Sequence, residues 1–170
     1  IKSSKKPTVR LLGSGSIINE VLAAAELLEN DWGIIPGIWN VTSYSELRKE
    51  AEIVERYNLI HPNKSQKKSH IEKNFEEHKV PTIAATDYIK MIPEQISPYV
   101  PGDFYALGTD GFGRSDTREN LRNFFEIDKY YIVLNAIIAL SKTQVVNKNL
   151  PTKAIKKYNL DPNKPNPISI

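Results

Sequence analysis

The residues most able to do chemistry lie in one octapeptide, Thr109-Asp110-Gly111-Phe112-Gly113-Arg114-Ser115-Asp116. Its three charged side chains, Asp110, Arg114 and Asp116, follow an apolar run from Phe104 to Gly108 that predicts a buried strand. A helical pattern comes directly after the octapeptide. In open α/β sheets, ligands and partners lie beyond the carboxyl ends of the strands. The three charges are therefore candidates for a contact surface or for the entrance to an active site.

The same three residues also have a structural interpretation. Asp116 can cap the helix predicted from Thr117 to Phe125, and Glu119 stands three residues later, where a capping box places its second acid. Arg114 would then pair locally or with Asp110. The two glycines of the loop allow it to turn sharply or to approach another chain closely.

A second candidate is the glycine pair in Gly13-Ser14-Gly15-Ser16, which lies between a predicted strand and a predicted helix. This arrangement is typical of dinucleotide-binding loops. However, Ile18 occupies the third glycine position, and the next strand ends in Thr42-Ser43, without an acid for a ribose hydroxyl. The alternatives are a tight turn with a serine cap and a weak anion site at the start of the helix.

The histidines give little support to catalysis. His61 precedes a proline, and His70 and His78 flank a polar segment without a carboxylate at ligand spacing. All three are predicted to be surface or capping residues. No serine stands in the context of a nucleophile elbow, so a Ser-His-Asp set cannot be argued.

Composition narrows the class of protein. A length of 170 residues with 40% hydrophobic and 25% charged side chains favours one globular domain. The absence of cysteine excludes disulfides, thiolate metal sites and thiol nucleophiles, and it suits a cytoplasmic protein. A net charge of +3 is too small to indicate a nucleic-acid-binding protein by itself. No apolar run approaches the roughly 18 residues of a membrane span.

Strand and helix patterns alternate along the chain. Strands are predicted at 8–12, 38–41, 81–86 and 104–108, and helices at 17–30, 44–59, 117–125, 130–141 and 152–158, with one short helix in the polar segment 63–79. Caps are expected at Ser43, Asp87 and Asp128, and Pro93 should kink or restart the helix after Asp87. The alternation predicts a three-layer α/β/α fold with a mostly parallel sheet.

The predicted organisation has three parts. Residues 1–7 form a basic linker, 8–150 form the α/β domain, and 151–170 form a short helix with an extended, proline-rich tail. The chain begins with Ile rather than Met, and we interpret it as a fragment or processed product.

Three stretches carry a resemblance to a known family. The octapeptide Thr109–Asp116, taken with Leu11–Gly15 and Pro81–Tyr88, resembles the C-terminal domain of the homodimeric, thiamine-diphosphate-dependent decarboxylating component of bacterial pyruvate dehydrogenase. The resemblance runs from about Val9 to Pro167. It implies the transketolase-type C-terminal fold, which begins with an antiparallel edge strand. Here that strand would fall at or before residue 1.

The resemblance also implies that catalysis and supporting functions belong to different domains of the parent enzyme. The parent enzyme decarboxylates pyruvate and passes the acetyl unit to a lipoyl group, as a homodimer in a complex with a dihydrolipoyl acetyltransferase. Thiamine diphosphate, Mg²⁺ and the catalytic groups belong to earlier domains of that family. We therefore expect no catalytic, cofactor or metal residue in this chain. Dimer support, orientation of the other domains and partner contact are its expected tasks.

One spacing imitates the metal motif of thiamine-dependent enzymes, which is Gly-Asp-Gly followed by Asn. Here Thr109-Asp110-Gly111 precedes Asn135, but threonine replaces the first glycine and Asn135 falls inside an apolar helix. A hard cation needs several oxygen ligands together. We interpret the match as a coincidence.

Two alternatives remain at the level of sequence. A free-standing anion- or nucleotide-binding module of flavodoxin-like form would use Gly13 to Ser16. The C-terminal domain of a transketolase shares the domain type, although the octapeptide favours pyruvate dehydrogenase.

Overall fold

A computed structural model describes residues 6–169, so the greater part of the predicted linker lies outside the described residues. Four strands form one sheet in the order β2-β1-β3-β4, with every neighbouring pair parallel. The strands are β1 Val9–Gly13, β2 Pro36–Asn40, β3 Thr82–Ala85 and β4 Phe104–Leu107. The antiparallel strand expected at or before residue 1 also lies outside the described residues.

Seven α-helices accompany the strands within residues 6–169. They are α1 Ile18–Trp32, α2 Tyr44–Ile60, α3 His70–Phe75, α4 Met91–Glu94, α5 Arg118–Phe124, α6 Lys129–Lys142 and α7 Leu150–Lys157. Single 3₁₀ turns lie at Gly15–Ile17, Ser97–Tyr99 and Pro167–Ser169, so the tail is not wholly extended. None of the helices in this part of the chain is both long and apolar enough to cross a bilayer.

The sheet separates two apolar cores, because successive strand residues point to opposite faces. Along β1, Val9 and Leu11 belong to the core with α1, α6 and α7, whereas Leu12 belongs to the core with α2 and α3. Along β3, Ile83 and Ala84 divide in the same way. The predicted three-layer α/β/α fold is therefore confirmed.

Of the caps predicted at Ser43, Asp87 and Asp128, the first and the last are confirmed. The Ser43 hydroxyl accepts from the Glu46 amide, and the Asp128 carboxylate accepts from the amides of Tyr130 and Tyr131. The prediction for Asp87 is wrong, because α4 begins only after Lys90 and has no side-chain cap. The Asp87 carboxylate instead accepts a hydrogen bond from the Ser16 hydroxyl.

Of the two outcomes expected at Pro93, the structure shows the restart of a helix. The helix α4 spans only four residues, Met91–Glu94, so the buried proline lies in its first turn. Because Pro cannot donate the amide hydrogen bond of a helix interior, a helix this short suits the residue.

A buried arginine joins the polar segment 63–79 to the sheet. Arg10 of β1 is only 4% exposed, and its guanidinium donates to the Thr82 hydroxyl and to the carbonyls of Phe75 and His78. The same group lies 4.0 Å from the centroid of the Phe75 ring. Burial lowers the pKa of Arg10 to about 10, so it stays charged at neutral pH. The short helix predicted here is confirmed as α3, whose Ile71 and Phe75 are buried.

We expect Arg10→Met to destabilise the chain by about 2–4 kcal/mol, because a buried hydroxyl and two carbonyls lose a charged donor. Chemical denaturation of both proteins measures the loss. The control is Arg48→Met, which removes an exposed i,i+4 pair with Glu52 and should cost below about 0.5 kcal/mol. Equal losses in the two variants would contradict this account of Arg10.

A second polar cluster fixes α7 against α1. The Trp32 indole donates to the Tyr158 hydroxyl at 2.7 Å, and that hydroxyl donates to Asp31 at 2.9 Å. Lys157 pairs with the same carboxylate at 3.0 Å. The bonds from Lys157 and Tyr158 hold the pKa of Asp31 below its ordinary value.

A lowered pKa of this kind gives a stability contribution that is present above about pH 4 and lost as the pH falls through the folded-state value. We expect Asp31→Asn to flatten the loss of stability between neutral and acidic pH, in denaturation curves measured across that range. Glu29→Gln, an exposed substitution on the same helix, is the control. An unchanged pH slope in Asp31→Asn would count against the cluster.

Candidate functional site

The octapeptide lies where it was predicted, in the loop that joins the carboxyl end of β4 to α5. Every residue from 111 to 120 is exposed, so the loop stands clear of both cores. The β3–α4 loop lies beside it, because β3 and β4 are parallel neighbours. The two loops together form the edge of the sheet at which partners and ligands of this fold class bind.

Hydrogen bonds join these two loops directly. The Thr109 amide donates to the Tyr88 carbonyl and its hydroxyl to the Asp87 carbonyl, both at 2.9 Å. The Asp110 carboxylate accepts from the Lys90 amide at 3.0 Å. Asp110 is therefore an anchor between the loops, with at least one carboxylate oxygen already engaged.

The other two predicted site residues also have local contacts. Asp116 accepts from the Asn120 side chain at 2.8 Å and from the Thr117 amide at 2.6 Å, and these bonds lower its pKa. The Arg114 guanidinium lies 4.2 Å from the centroid of the Phe124 ring. The structure brings all three residues into one loop, but they do not converge on one point.

Two details of the structural interpretation need correction. The cap of α5 is Thr117, whose hydroxyl accepts from the Asn120 amide at 3.3 Å, because the Asp116 carboxylate already binds the Thr117 amide. Within residues 6–169, Arg114 makes no ion pair with Asp110 and stacks on Phe124 instead. The predicted capping box with Glu119 is therefore absent from this described helix start.

The C-terminal tail packs against the loop. Gly111 has φ +117°, and a Cβ at this position would lie 2.5 Å from the Pro167 carbonyl oxygen. Gly113 differs, because an added Cβ there meets nothing within 4 Å. Lys164 holds the tail by donating to the carbonyls of Asn123 and Phe124 at the end of α5. Only a glycine at 111 therefore allows the loop and tail to approach this closely.

A part-buried ion pair that was not predicted from the sequence lies at the same edge. Arg122 is 8% exposed and donates to Glu20 at 2.9 Å and to the Ser16 hydroxyl at 3.0 Å. The Ser16 hydroxyl in turn donates to Asp87 at 2.8 Å, while Glu20 also accepts from the Lys129 amide. The network links the turn after β1, the helices α1 and α5, and the β3–α4 loop at the point where the strand order reverses between β1 and β3. No sequence signal relates partners that are 102 residues apart.

The glycine pair near the start forms the predicted tight turn without the predicted serine cap. Gly13 lets α1 pack closely on β1, since an added Cβ would lie 2.9 Å from the Ile18 side chain. The Ser14 hydroxyl donates to Thr86 and makes no cap. With Ser16 bound to Asp87 and Arg122, both serines of this loop bind protein groups.

Asp110 and Asn135 do line one cavity of about 200 Å³, together with Lys90 and Glu126. The Asn135 amide donates to the Tyr131 carbonyl at 2.9 Å, and Asp110 is held by the Lys90 amide. Within residues 6–169, no three His, Asp or Glu side chains are grouped to hold a metal ion. Because Mg²⁺ requires near-octahedral oxygen coordination, this donor set does not fit it.

The histidines have the surface and capping positions predicted for them. His61 is the C-cap of α2. Its ring stacks on the Tyr57 ring with the centroids 4.3 Å apart, and its Nδ1 forms a hydrogen bond with the Tyr57 carbonyl. His70 is exposed, and His78 is half-buried with Glu77 at 3.9 Å.

Comparison with known proteins defines the class. A family model described as the transketolase-like C-terminal domain matches residues 1–128, and the chain belongs to this family. It is 50% identical over 170 residues to the pyruvate dehydrogenase E1 component of Cupriavidus necator and 44% identical over 163 residues to that of Escherichia coli K12. These alignments cover 100% and 95% of the chain but 19% and 18% of the relatives. The resemblance stated from sequence is confirmed.

Solved structures agree on the fold. A transketolase from Leishmania mexicana superposes with a TM-score of 0.53 at 15% identity, over 80% of this chain and 17% of that one. A split-gene transketolase, described as an inactive β4 tetramer, gives 0.52 at 15% identity, over 81% of this chain and 41% of that one.

We expect Gly111→Ala to cost about 1–3 kcal/mol, because alanine disfavours this φ and its methyl group would collide with the tail. The change in unfolding free energy and the rate of proteolysis within 161–169 measure the effect. Gly113→Ala is the matched control and should be close to neutral, since its methyl group meets open space. If both variants kept wild-type stability, the packing of the tail on the loop would be refuted.

Proposed function

We propose that this chain is the C-terminal domain of a pyruvate dehydrogenase decarboxylating component. The observation that carries the proposal is 50% identity to a pyruvate dehydrogenase E1 component across all 170 residues. The chain spans about a fifth of that relative, so the proposed enzyme is a longer polypeptide. It decarboxylates pyruvate with thiamine diphosphate and Mg²⁺ and acetylates lipoyl groups.

Within that enzyme, the domain supports the active site without entering it. The cofactor and its metal ion are bound by other domains, which agrees with the poor fit of Asp110 and Asn135 to Mg²⁺. The loop bearing Asp110, Arg114 and Asp116 is the contact region, at the entrance to the active site or against the second subunit. Its exposure from 111 to 120 supports this role.

The remaining parts of the proposal follow from the same relationship. The enzyme is a cytoplasmic homodimer in a multienzyme complex, with a dihydrolipoyl acetyltransferase as its partner. The domain boundaries proposed for this chain are 8–150 for the α/β unit and 151–170 for the helix and tail. The helix α7 supports the domain from its edge, since Ala154 lies in the core with α1 and α6.

We expect the protein expressed from its complete reading frame, supplied with an oxidised lipoyl group as acetyl and electron acceptor, to release CO₂ from pyruvate only when thiamine diphosphate and Mg²⁺ are present. The isolated 170-residue chain should show no turnover and no heat of binding with either compound. Ketol transfer between sugar phosphates, without pyruvate turnover, would instead identify a transketolase. Pyruvate turnover by the isolated chain would refute the supporting role.

A further inference from the structure

A groove lies on the face of the sheet that carries α2 and α3, beside the 3₁₀ turn Ser97–Tyr99. It consists of an α2 cavity of about 260 Å³ and an α3 cavity of about 280 Å³, which share Glu72, Pro98 and Tyr99. Small-molecule sites are usually clefts of about 300–1,000 Å³. Each cavity is smaller than that, so each suits one side chain of a partner better than a whole ligand.

The α2 cavity combines apolar walls with two carboxylates. Apart from the shared residues, it is lined by Ala51, Val54, Glu55 and Asn58 of α2. Its lining, within the described part of the chain, includes no lysine or arginine. Among residues 6–169, neither Glu55 nor Glu72 forms an ion pair. The α2 cavity therefore fits a cation that has an apolar stem.

Both carboxylates are already held in place, each through its Oε2 atom. Glu55 accepts from the Tyr99 hydroxyl at 3.2 Å, and Glu72 accepts from the Ser69 amide at 2.7 Å. The Oε1 atom of each residue has no hydrogen bond to another residue between 6 and 169, so it can accept one from a ligand. Groups ordered in advance lose less side-chain freedom when a partner binds.

The walls of the groove are also fixed before any partner arrives. The Asn58 side chain exchanges two hydrogen bonds of 2.8 Å with the backbone of Lys67, which precedes α3. The Glu50 carboxylate of α2 accepts from the His70 amide at 2.9 Å. These bonds join α2 to the start of α3, so the shape of the groove does not have to be induced by binding.

The α3 cavity has an apolar floor and a rim of balanced charge. Beyond the shared residues, its lining is Lys68, Glu76, Lys79, Val100 and Pro101. Lys68 pairs with Glu76, and the two lysines balance the charges of Glu72 and Glu76. The α3 cavity therefore suits an apolar side chain. A small apolar centre within an exposed, charged rim is typical of a non-obligate interface, because permanent interfaces are more apolar.

We propose that this groove docks an extended segment of a separate protein, with an arginine in the α2 cavity and an aliphatic side chain in the α3 cavity. In an extended chain, side chains two residues apart lie on one face, about 7 Å from each other, which suits two adjoining cavities. The arginine stem packs along Val54 and Pro98, and its planar guanidinium reaches Glu55 and Glu72. The inference goes beyond the proposed function and does not depend on it.

The test selects ligands from a phage-displayed library of random heptapeptides, on the protein expressed from its complete reading frame. Phage that bind a Glu55→Gln variant equally well are removed, so the selection reports on the groove. We expect enrichment of arginine with leucine, isoleucine or valine two residues away. The synthetic peptide should bind Glu55→Gln about tenfold more weakly in fluorescence polarisation, because a charge-assisted hydrogen bond is lost.

The matched control is Glu46→Gln, which removes a carboxylate from the same helix outside both cavities. It should leave the affinity for the peptide unchanged. Thermal unfolding of the wild type and both variants shows that each is folded. Replacing the arginine of the peptide by alanine should abolish binding.

Three results of the selection would overturn the inference. They are a pattern without arginine, no enrichment above background, and equal affinity for the wild type and Glu55→Gln. The other occupants are tested with a photo-crosslinking benzoylphenylalanine in place of Pro98, irradiated without peptide. A product of twice the chain mass would assign the groove to a second copy, and attachment beyond these 170 residues would assign it to another domain. Attachment within them, or none, leaves the groove open, as docking requires.

Discussion

Parallel pairing of β3 with both β1 and β4 is the constraint on which the rest of the structure depends. It brings the carboxyl ends of three strands to one edge, and every loop at that edge then meets its neighbours. Thr109 and Asp110 bind the β3–α4 loop, and Ser16 binds Asp87 across the gap between β1 and β3. The crossover helices that such pairing requires also create the two separate cores.

The fold class could be predicted from sequence because it follows from periodicity, which is a local property. Helix caps such as Ser43 and Asp128 could be predicted for the same reason. The cap of α5 was predicted at the wrong residue because Asp116 and Thr117 are both good caps. Which of them caps the helix depends on the backbone conformation, which places the Asp116 carboxylate at the Thr117 amide and the Thr117 hydroxyl at the Asn120 amide. Arg10 could not be foreseen as a buried cation, because its acceptors lie 65 to 72 residues away.

The candidate site shows the same division between local and distant information. Its position at the end of β4 was predictable, and so was its glycine content. The roles within it were not, because each charged residue acts through a partner that only the fold supplies. The charges attracted attention in the sequence, yet the large apolar side chain of Phe112 is 78% exposed in the same loop.

The hydrogen bonds of Arg10 divide the polar segment between α2 and β3 into two parts that differ in how firmly they are held. Every residue from Pro62 to Gln66 is exposed, so insertions and deletions there can be absorbed by solvent-facing chain. From Phe75 to Thr82 a single guanidinium holds both ends at a fixed separation. A longer loop in the first part therefore costs little stability. The length of the second part is fixed, because the Arg10 side chain must bond both of its ends.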